Sequence, residues 1–529
     1  MHSCGESHGR ILQSSAVPEL ESSIVTLLSL ATIALIVALA AAYSLAWLLW
    51  RTQLTALRAQ LRTDAPLLRS RIVDAFRATP RIDFALLAIF FIAGVWLRLR
   101  ELNIPMGTDE AATWLYYASK PLIVGITIWS SPNNHLLNTL LMHICGALFG
   151  PREWALRLPA FFSGLALIPI TYAASRVFYR RGALIAAGAI AASPAVVAYS
   201  TDGRGYALMA ACALIAAMAM ASLIRSGNSV AAIVFGIATA LGFWSVLVMI
   251  TLFLLIVTWA LVERPAAWRA IVVACLLAGA LTMLAYFPVF VVSGPTSILT
   301  NGYHAPSTLA HFIRDLPLIS RVIVVRLLVG FPRALQWLLG FAFIAALLLH
   351  RRLSRFRYPI WIGFIAVAAF TLAQRYVPPS RIWFAFLPFF FITISALARR
   401  IHIERLLAIG IVALLAYDVT RGPHPRETGN VRAGPMIAAE LQRRVQPGDE
   451  IVTLTPTDVP LTFYLQRIGV PIDATRPNVN AQRLFVVTNL DFAQTFVKTT
   501  REMHVDVPRY RVRRIADFGA SEIYELVRR

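Results

Sequence analysis

Two adjacent carboxylates, Asp109 and Glu110, stand in the stretch Thr108-Asp109-Glu110-Ala111-Ala112-Thr113-Trp114. They follow an apolar run by about ten residues, close enough for one of them to act as a base at a membrane boundary. Two further polar clusters recur on comparable segments. One is Asn133-Asn134-His135, and the other is Asp202-Gly203-Arg204-Gly205-Tyr206. Arg157 interrupts the otherwise apolar Trp154-Ala155-Leu156-Arg157-Leu158-Pro159, a costly placement unless it faces a polar cavity or an anion. Arg381 closes the segment Pro378-Pro379-Ser380-Arg381. This set suits displacement of a phosphate leaving group. A sugar carried on a lipid phosphate leaves behind an anion, so no general acid is needed, only a base for the acceptor and cations for the phosphate. Asp109, with Glu110 beside it, is the expected base. Arg157, Arg204 and Arg381 are the expected phosphate partners, because a guanidinium makes bidentate contacts to phosphate oxygens. Asp202, Tyr206, Asn133, Asn134 and His135 are expected to serve the acceptor or support the site.

Each residue also has a plainer reading. Thr108 and Asp109 are good helix N-cap types after Pro105-Met106-Gly107. Asp202-Gly203-Arg204-Gly205 could be a helix-connecting turn with a local ion pair. His135 could be a satisfied interfacial side chain. Arg157 and Arg381 could snorkel to headgroups, and Arg375 and Tyr376 could be interface anchors. His304 and His311 have no metal-ligand spacing and stay unassigned.

The elements that must position these residues are membrane helices. The chain has 529 residues, 58% hydrophobic and 14% charged, too few charges to cover a soluble protein of this size. Apolar runs of span length recur over the first 420 positions or so. The first, Ile24–Trp50, is too long for a signal-peptide core and is expected to be retained. The net charge of +22 does not imply nucleic-acid binding, since the arginines lie between apolar runs and form no basic face with interleaved aromatics. The four cysteines (Cys4, Cys145, Cys212, Cys275) form no disulfide or metal framework.

Basic segments set the expected topology. Residues 51–81 carry seven arginines, and Arg176/Arg180/Arg181, Arg264/Arg269, Arg351/Arg352/Arg355/Arg357 and Arg399/Arg400/Arg405 follow. With these inside, the spans are Ile24–Trp50, Ile82–Trp96, Trp154–Tyr179, Ala183–Tyr199, Tyr206–Leu223, a helical pair over Val230–Val262, Ala270–Val292, Leu335–His350, Ile360–Gln374, Ile382–Leu397 and Leu406–Tyr417, twelve in all. The run 136–149 is too short to cross and is expected to lie along the outer surface, with Asn138 and His143 at a wet interface. Polar segments 97–153, 200–205, 293–334, 375–381 and 418–529 then share the outer face. The last reads as a small α/β domain. MIAAELQRRV and VPLTFYLQRIG predict helices, and EIVTLTP, RLFVVTNL and SEIYELV predict strands. The expected organisation is an extra N-terminal helix with an Arg-rich cytoplasmic loop (1–81), a transmembrane catalytic domain (82–418) and an extracytoplasmic α/β domain (419–529).

The order of motifs resembles the type C (GT-C) glycosyltransferases. The acidic pair is followed by an Asn/His-rich turn, a surface helix, Glu153-Trp-Ala-Leu-Arg157-Leu-Pro159, Tyr172…Arg176…Arg180-Arg181, and SPAVVAYSTDGRGYAL. The resemblance is closest to the protein-mannosyltransferase and aminoarabinose lipid A transferase branch. It covers roughly residues 82–420 and is strongest over 100–225. It implies that Asp109 is the catalytic Asp, that Asp202 and Arg204 occupy a site where bacterial members carry Glu and Arg, that Asn133, Asn134 and His135 form the polar turn before the surface helix, and that Pro378–Arg381 lies near the lipid phosphate. Two departures stand out. Trp244-Ser245 replaces a frequent His in the turn of the helical pair. The Asp-x-Asp or Asp-x-Glu metal pair of the oligosaccharyltransferase branch is missing, which implies metal-independent chemistry with no cofactor. The resemblance implies a glycosyltransferase in a bacterial cytoplasmic membrane, and one base with one displacement implies inversion. It would use a polyprenyl-phosphate sugar donor and a glycan, lipid or protein acceptor at the outer face, among membrane lipids and with no nucleic-acid partner. A transporter or flippase of lipid-linked sugars is the first alternative, though no inverted repeat is seen. A non-catalytic membrane scaffold is the second.

Overall fold

The computed structural model describes residues 17–179, 181–299, 307–398, 401–421 and 429–529. Cys4, Arg180, Arg399, Arg400 and His304 lie outside the described residues. The chain is a helical membrane bundle capped at one end by a small α/β unit. With no water in hydrocarbon, backbone groups must bond within each segment, so the apolar runs become helices. Every expected span corresponds to helix. Five described helices, Glu21–Ala41 within a longer helix, Arg81–Glu101, Glu153–Phe178, Tyr206–Ser226 and Pro265–Val292, are long and apolar enough to cross a membrane. A sixth span is available if the bent pair Ala183–Ala192 and Pro194–Ser200 crosses as one. The other apolar helices are shorter, from Leu136–Phe149 to Ser380–Ser395, so helix length alone does not establish twelve spans.

Three segments differ from expectation. Residues 51–77 form no loop, because one helix runs unbroken from Val17 to Arg77. The segment 293–334 contains an amphipathic helix, Leu309–Leu327, capped by the Thr308 hydroxyl on the amide of His311. The expected span Ala183–Tyr199 bends by 60° at Ser193-Pro194, where proline cannot continue the hydrogen-bond ladder. Arg98, fully buried, donates to the carbonyls of Ile190 (3.2 Å) and Ala191 (2.9 Å) released at this break. The bend delivers Asp202–Gly205 to the head of Tyr206–Ser226, a helix whose alanines let its neighbours approach closely.

The loops sort onto two ends, in the two groups that the arginine pattern separates. At one end Asp64 accepts from the amide (2.8 Å) and hydroxyl (2.6 Å) of Ser229, Arg176 donates to Thr79, and Arg405 pairs with Asp83 at 2.9 Å. At the other end lie the Asp109 loop, the polar turn 131–135, the Asp202–Gly205 turn and the Arg381 segment.

The α/β unit stands on that second end. Strands β1 (Glu450–Val452), β2 (Arg483–Asn489), β3 (Tyr510–Asp517) and β4 (Ser521–Arg528) form one sheet in the order β1-β2-β4-β3. Strands β1 and β2 are parallel, joined through helix Asp458–Arg467, and the other pairings are antiparallel. Strand β3 was not expected. Its YRVRRIAD sequence is mostly exposed at the sheet edge, so it lacks the apolar alternation of a half-buried strand. The unit's core, including Ile437, Leu461, Phe485 and Ile523, is continuous with Met106, Ala111 and Leu115 of the Asp109 loop.

Candidate active site

Helix Thr108–Thr113 carries both carboxylates in its first turn, and they diverge. One helical step of about 100° separates neighbouring side chains, so Glu110 turns into the protein while Asp109 stays at the surface of the cleft. Glu110 is fully buried, whereas the Asp109 side chain keeps 24% exposure.

Glu110 accepts from four donors. The amides of Gly107 (2.7 Å) and Gly203 (2.8 Å) reach Oε1 and Oε2, Arg157 Nε lies 2.9 Å from Oε2, and Arg157 Nη2 bonds Oε1. The Gly107 contact is a helix-start bond, so the capping reading holds for Glu110 rather than for Asp109. At Gly203 an added Cβ would sit 2.7 Å from Met142 Cε and 3.2 Å from Glu110 Oε2, so a larger residue there would push these side chains aside. Arg157 is equally enclosed. Beyond Glu110, its Nη1 donates to the carbonyls of Leu102 (2.8 Å) and Ile104 (2.6 Å), and Nη2 to Pro105 (3.3 Å). These contacts engage all five guanidinium N–H groups. No donor is left for a phosphate, and Glu110 has no face open to a substrate. The expected phosphate contact of Arg157 and the expected catalytic position of Glu110 are both replaced by a closed structural clamp. It ties the Asp109 loop, the Asp202–Gly205 turn and helix Glu153–Phe178 together.

Asp109 is held by its backbone, and its carboxylate is part-exposed beside one cation. Its carbonyl accepts from Asn133 Nδ2 at 3.0 Å and from Arg204 Nη1 at 3.4 Å. Its carboxylate faces Arg381, with Nη1 4.0 Å from Oδ2. Arg381 is 30% exposed, and the indole of Trp383 donates to the Pro378 carbonyl at 3.0 Å and fixes its short helix. Arg204 is nearly buried and also donates to Thr113 Oγ1 (2.8 Å) and the Asn133 carbonyl (2.8 Å). Its Nη2 lies 3.0 Å from His135 Nε2, and because an arginine can only donate, that nitrogen accepts. The amide of Gly205 stands 3.1 Å from Nδ1. Donors face both ring nitrogens, and a neutral imidazole can accept at only one of them. Burial, reinforced by Arg204 and Arg381, lowers the His135 pKa well below 6.5. The neutral form of the ring is thereby favoured. Tyr206 meets His135 edge-on at 5.1 Å and lies under the Arg204 guanidinium at 5.8 Å.

The remaining expected residues frame this centre. Asn134 donates to the carbonyls of Gly125 (2.9 Å) and Ile128 (3.0 Å) and accepts from Thr139 (2.8 Å), which makes it a buried loop tie. Asp202 is buried and raises the pull on Arg157 by its charge. Asn138, expected at a wet interface, is buried and holds the Gly203 carbonyl at 2.8 Å. Trp244 packs in a cluster with Trp129 and Tyr286. Sequence reasoning missed Tyr464 and Pro456 of the α/β unit. The Tyr464 hydroxyl accepts from the Met106 amide at 2.8 Å, and the Pro456 carbonyl accepts from the Thr108 hydroxyl at 2.9 Å. No local pattern announces partners nearly 350 residues away. A cavity of 620 Å³ in the α/β unit, lined by Asp449, Glu450, Asp473 and Arg476 among others, includes none of these site residues.

Comparison with known proteins supplies a fold and a partial family match. Residues 132–292 match the family described as Dolichyl-phosphate-mannose-protein mannosyltransferase. None of the curated proteins matches the sequence. Crystal structures of ArnT from Cupriavidus metallidurans superpose over 83% of this chain and 97% of theirs. The apo form gives a TM-score of 0.52 at 15% identity, and the form bound to undecaprenyl phosphate gives 0.55 at 16%. The oligosaccharyltransferase AglB from Archaeoglobus fulgidus, in complex with an inhibitory peptide and a dolichol-phosphate, gives 0.50 at 12% identity, covering 84% of this chain and 74% of AglB.

Proposed function

We propose that the chain is a type C glycosyltransferase that transfers a sugar from a polyprenyl-phosphate donor to an acceptor at the membrane face that bears the α/β unit, with Asp109 as general base. One observation carries the reading. Asp109 is the carboxylate of the site that keeps an open face, and it stands beside the half-exposed cation Arg381. In the reaction the acceptor hydroxyl attacks the anomeric carbon and its proton passes to the Asp109 carboxylate. The bond from the anomeric carbon to phosphate oxygen breaks, and its electron pair leaves with the lipid phosphate. Arg381 neutralises the departing anion, with Arg204 behind it. One displacement gives inversion at the anomeric carbon. The ArnT likeness supports a polyprenyl-phosphate donor, because that protein was solved with undecaprenyl phosphate. The bundle also suits a donor whose tail stays in lipid. Asn133, Thr113 and Arg204 position the base, His135 and Tyr206 position Arg204, and the Glu110–Arg157 pair holds the loop.

The test uses purified protein, a panel of radiolabelled polyprenyl-phosphate sugars and an envelope extract as acceptor, with Asp109→Asn beside wild type. The variant is expected to fold, because the Asp109 contacts to Asn133 and Arg204 use its backbone. Transfer by wild type and a loss of at least about a hundredfold in the variant is the expected outcome, a general base contributing roughly 10²–10⁴. Equal transfer by both proteins overturns the role of Asp109. Retention at the anomeric carbon overturns the single displacement.

A further inference from the structure

The N-terminal helix is much longer than a span. Val17–Arg77 is 61 residues of unbroken helix, about 90 Å at 1.5 Å per residue, against ~30 Å of hydrocarbon. Its apolar window is Glu21–Ala41, so the basic half must lie elsewhere. Two contacts place it. The Asp64 carboxylate accepts from Ser229, and its carbonyl accepts from Asn228 Nδ2 at 3.1 Å. Just past the helix end, Thr79 receives the Arg176 guanidinium. Both partners stand at the end of the bundle remote from Asp109. A helix leaving along the membrane normal would carry residue 77 some 20 Å away from Asp64 in depth, whereas Asp64 and Thr79 both contact the end of the bundle opposite Asp109. The segment 55–77 therefore lies across that end.

Its pattern fits this placement. Leu57, Leu61, Leu68, Ile72 and Phe76 recur at helical spacing on one stripe. Leu61 and Leu68 rest partly on the protein, while Leu57, Ile72 and Phe76 are 46%, 63% and 65% exposed. Arg58, Arg62 and Arg69, all exposed, form a second stripe along one flank of the first. A water-facing apolar stripe is unfavourable, and arginines beside it reach outward from the hydrocarbon edge.

We propose that residues 55–77 form a membrane-surface helix that seats Leu57, Ile72 and Phe76 in the lipid edge and binds anionic phospholipid headgroups through Arg58, Arg62 and Arg69. The occupant is the lipid surface. The helix is continuous with a membrane helix at its start, another follows it at Arg81, and its cationic stripe complements phosphate. The proposal is independent of the reaction assigned to Asp109.

The test takes the full chain in nanodiscs. Spin labels at Ile72→Cys and Ser70→Cys, with the signal of the unsubstituted chain subtracted, report the two faces. The Ile72 label is expected to be reached by oxygen in lipid and the Ser70 label by a water-soluble nickel complex. Water exposure of both labels overturns the proposal. Native mass spectrometry then compares retained phosphatidylglycerol with phosphatidylcholine. Substituting Arg58, Arg62 and Arg69 together by Gln is expected to lower the preference for the anionic lipid roughly tenfold or more, since each basic residue at an anionic surface contributes on the order of fivefold. The same change at Arg509, Arg511 and Arg513 of the α/β unit is expected to leave it unchanged. An undiminished preference in the first variant, with folding shown by the Ser70 label, overturns headgroup binding.

Discussion

Replacing Arg157 by Met decides between a clamp and a phosphate ligand. The side chain is fully buried and donates to the Glu110 carboxylate and to the carbonyls of Leu102, Ile104 and Pro105. Its removal leaves the Glu110 charge buried without its guanidinium partner, while the Gly107 and Gly203 amides remain. Breaking one side of a buried pair typically costs about 3–5 kcal/mol, most of it from the charge left behind. The double variant Arg157→Met/Glu110→Leu removes that orphaned charge. It should therefore recover part of the loss, with a coupling of up to about 3 kcal/mol. Denaturation of purified protein in detergent measures stability, and transfer kinetics are read on whatever remains folded. The expected pattern is a large loss in Arg157→Met, partial recovery in the double variant, and a donor KM near wild type in the recovered protein. Wild-type stability of Arg157→Met together with a raised donor KM would refute the clamp and restore Arg157 to the phosphate. Additive losses in the double variant would also refute it.

Two other outcomes follow from the same geometry. Tyr464→Phe removes the acceptor of the Met106 amide, leaving a buried donor unsatisfied at a cost of about 1–3 kcal/mol. The segment leading to Asp109 loosens, so kcat should fall while the donor KM holds, and a normal kcat would deny the α/β unit any part in positioning the base. His135 concerns pH. Burial, with Arg204 and Arg381, lowers its pKa in the folded protein, while an unfolded histidine takes a proton near pH 6.5. The unfolded chain thus binds more protons below that pH. Stability is full above about 6.5 and falls on acidification, by at most ~1.4 kcal/mol per pH unit, until the lower folded value is reached. Melting curves of wild type and His135→Gln between pH 7 and 5 should show a shallower acid slope in the variant. Equal slopes would mean that the ring is protonated in the fold.

The legible part of the sequence was its periodicity and its order. Apolar runs and arginine clusters indicated which loops share an end, because helices in lipid must close their own backbone bonds and alternate in direction. The continuity of 51–77 was hidden, since an Arg-rich stretch between two apolar runs reads as a loop until its stripes are laid on a helix. The bend at Ser193-Pro194 was visible as a proline, but the Arg98 that satisfies it was not. In the site, Asp109, Arg204 and Arg381 could be named from type and position. The closure of Arg157 could not, because its carbonyl partners Leu102, Ile104 and Pro105 are backbone atoms with no side-chain signature. The partners of His135 were hidden for the same reason, being a guanidinium and a backbone amide from a turn about 70 positions away.

The two neighbouring carboxylates show how one helical step divides labour, and conservative exchanges expose the division. Glu110→Asp keeps the charge but shortens the side chain by one methylene, roughly 1.5 Å of reach. The carboxylate then cannot hold Arg157 Nε at 2.9 Å while meeting the amides of Gly107 and Gly203. Stability should fall by a substantial share of the clamp, on the order of 2 kcal/mol. Asp109→Glu lengthens a side chain that faces a partly open cleft, so stability should change by less than about 0.5 kcal/mol. The proposed base is then displaced by about 1 Å, and a displacement of that size can cost roughly a hundredfold in rate. The two variants should thus separate, one losing stability and the other losing rate, although both keep a carboxylate at each position. If both lose rate alone, Glu110 touches the substrate and the enclosed geometry opens during turnover. If both lose stability alone, Asp109 is a second structural anion, and the base must be sought elsewhere in the cleft.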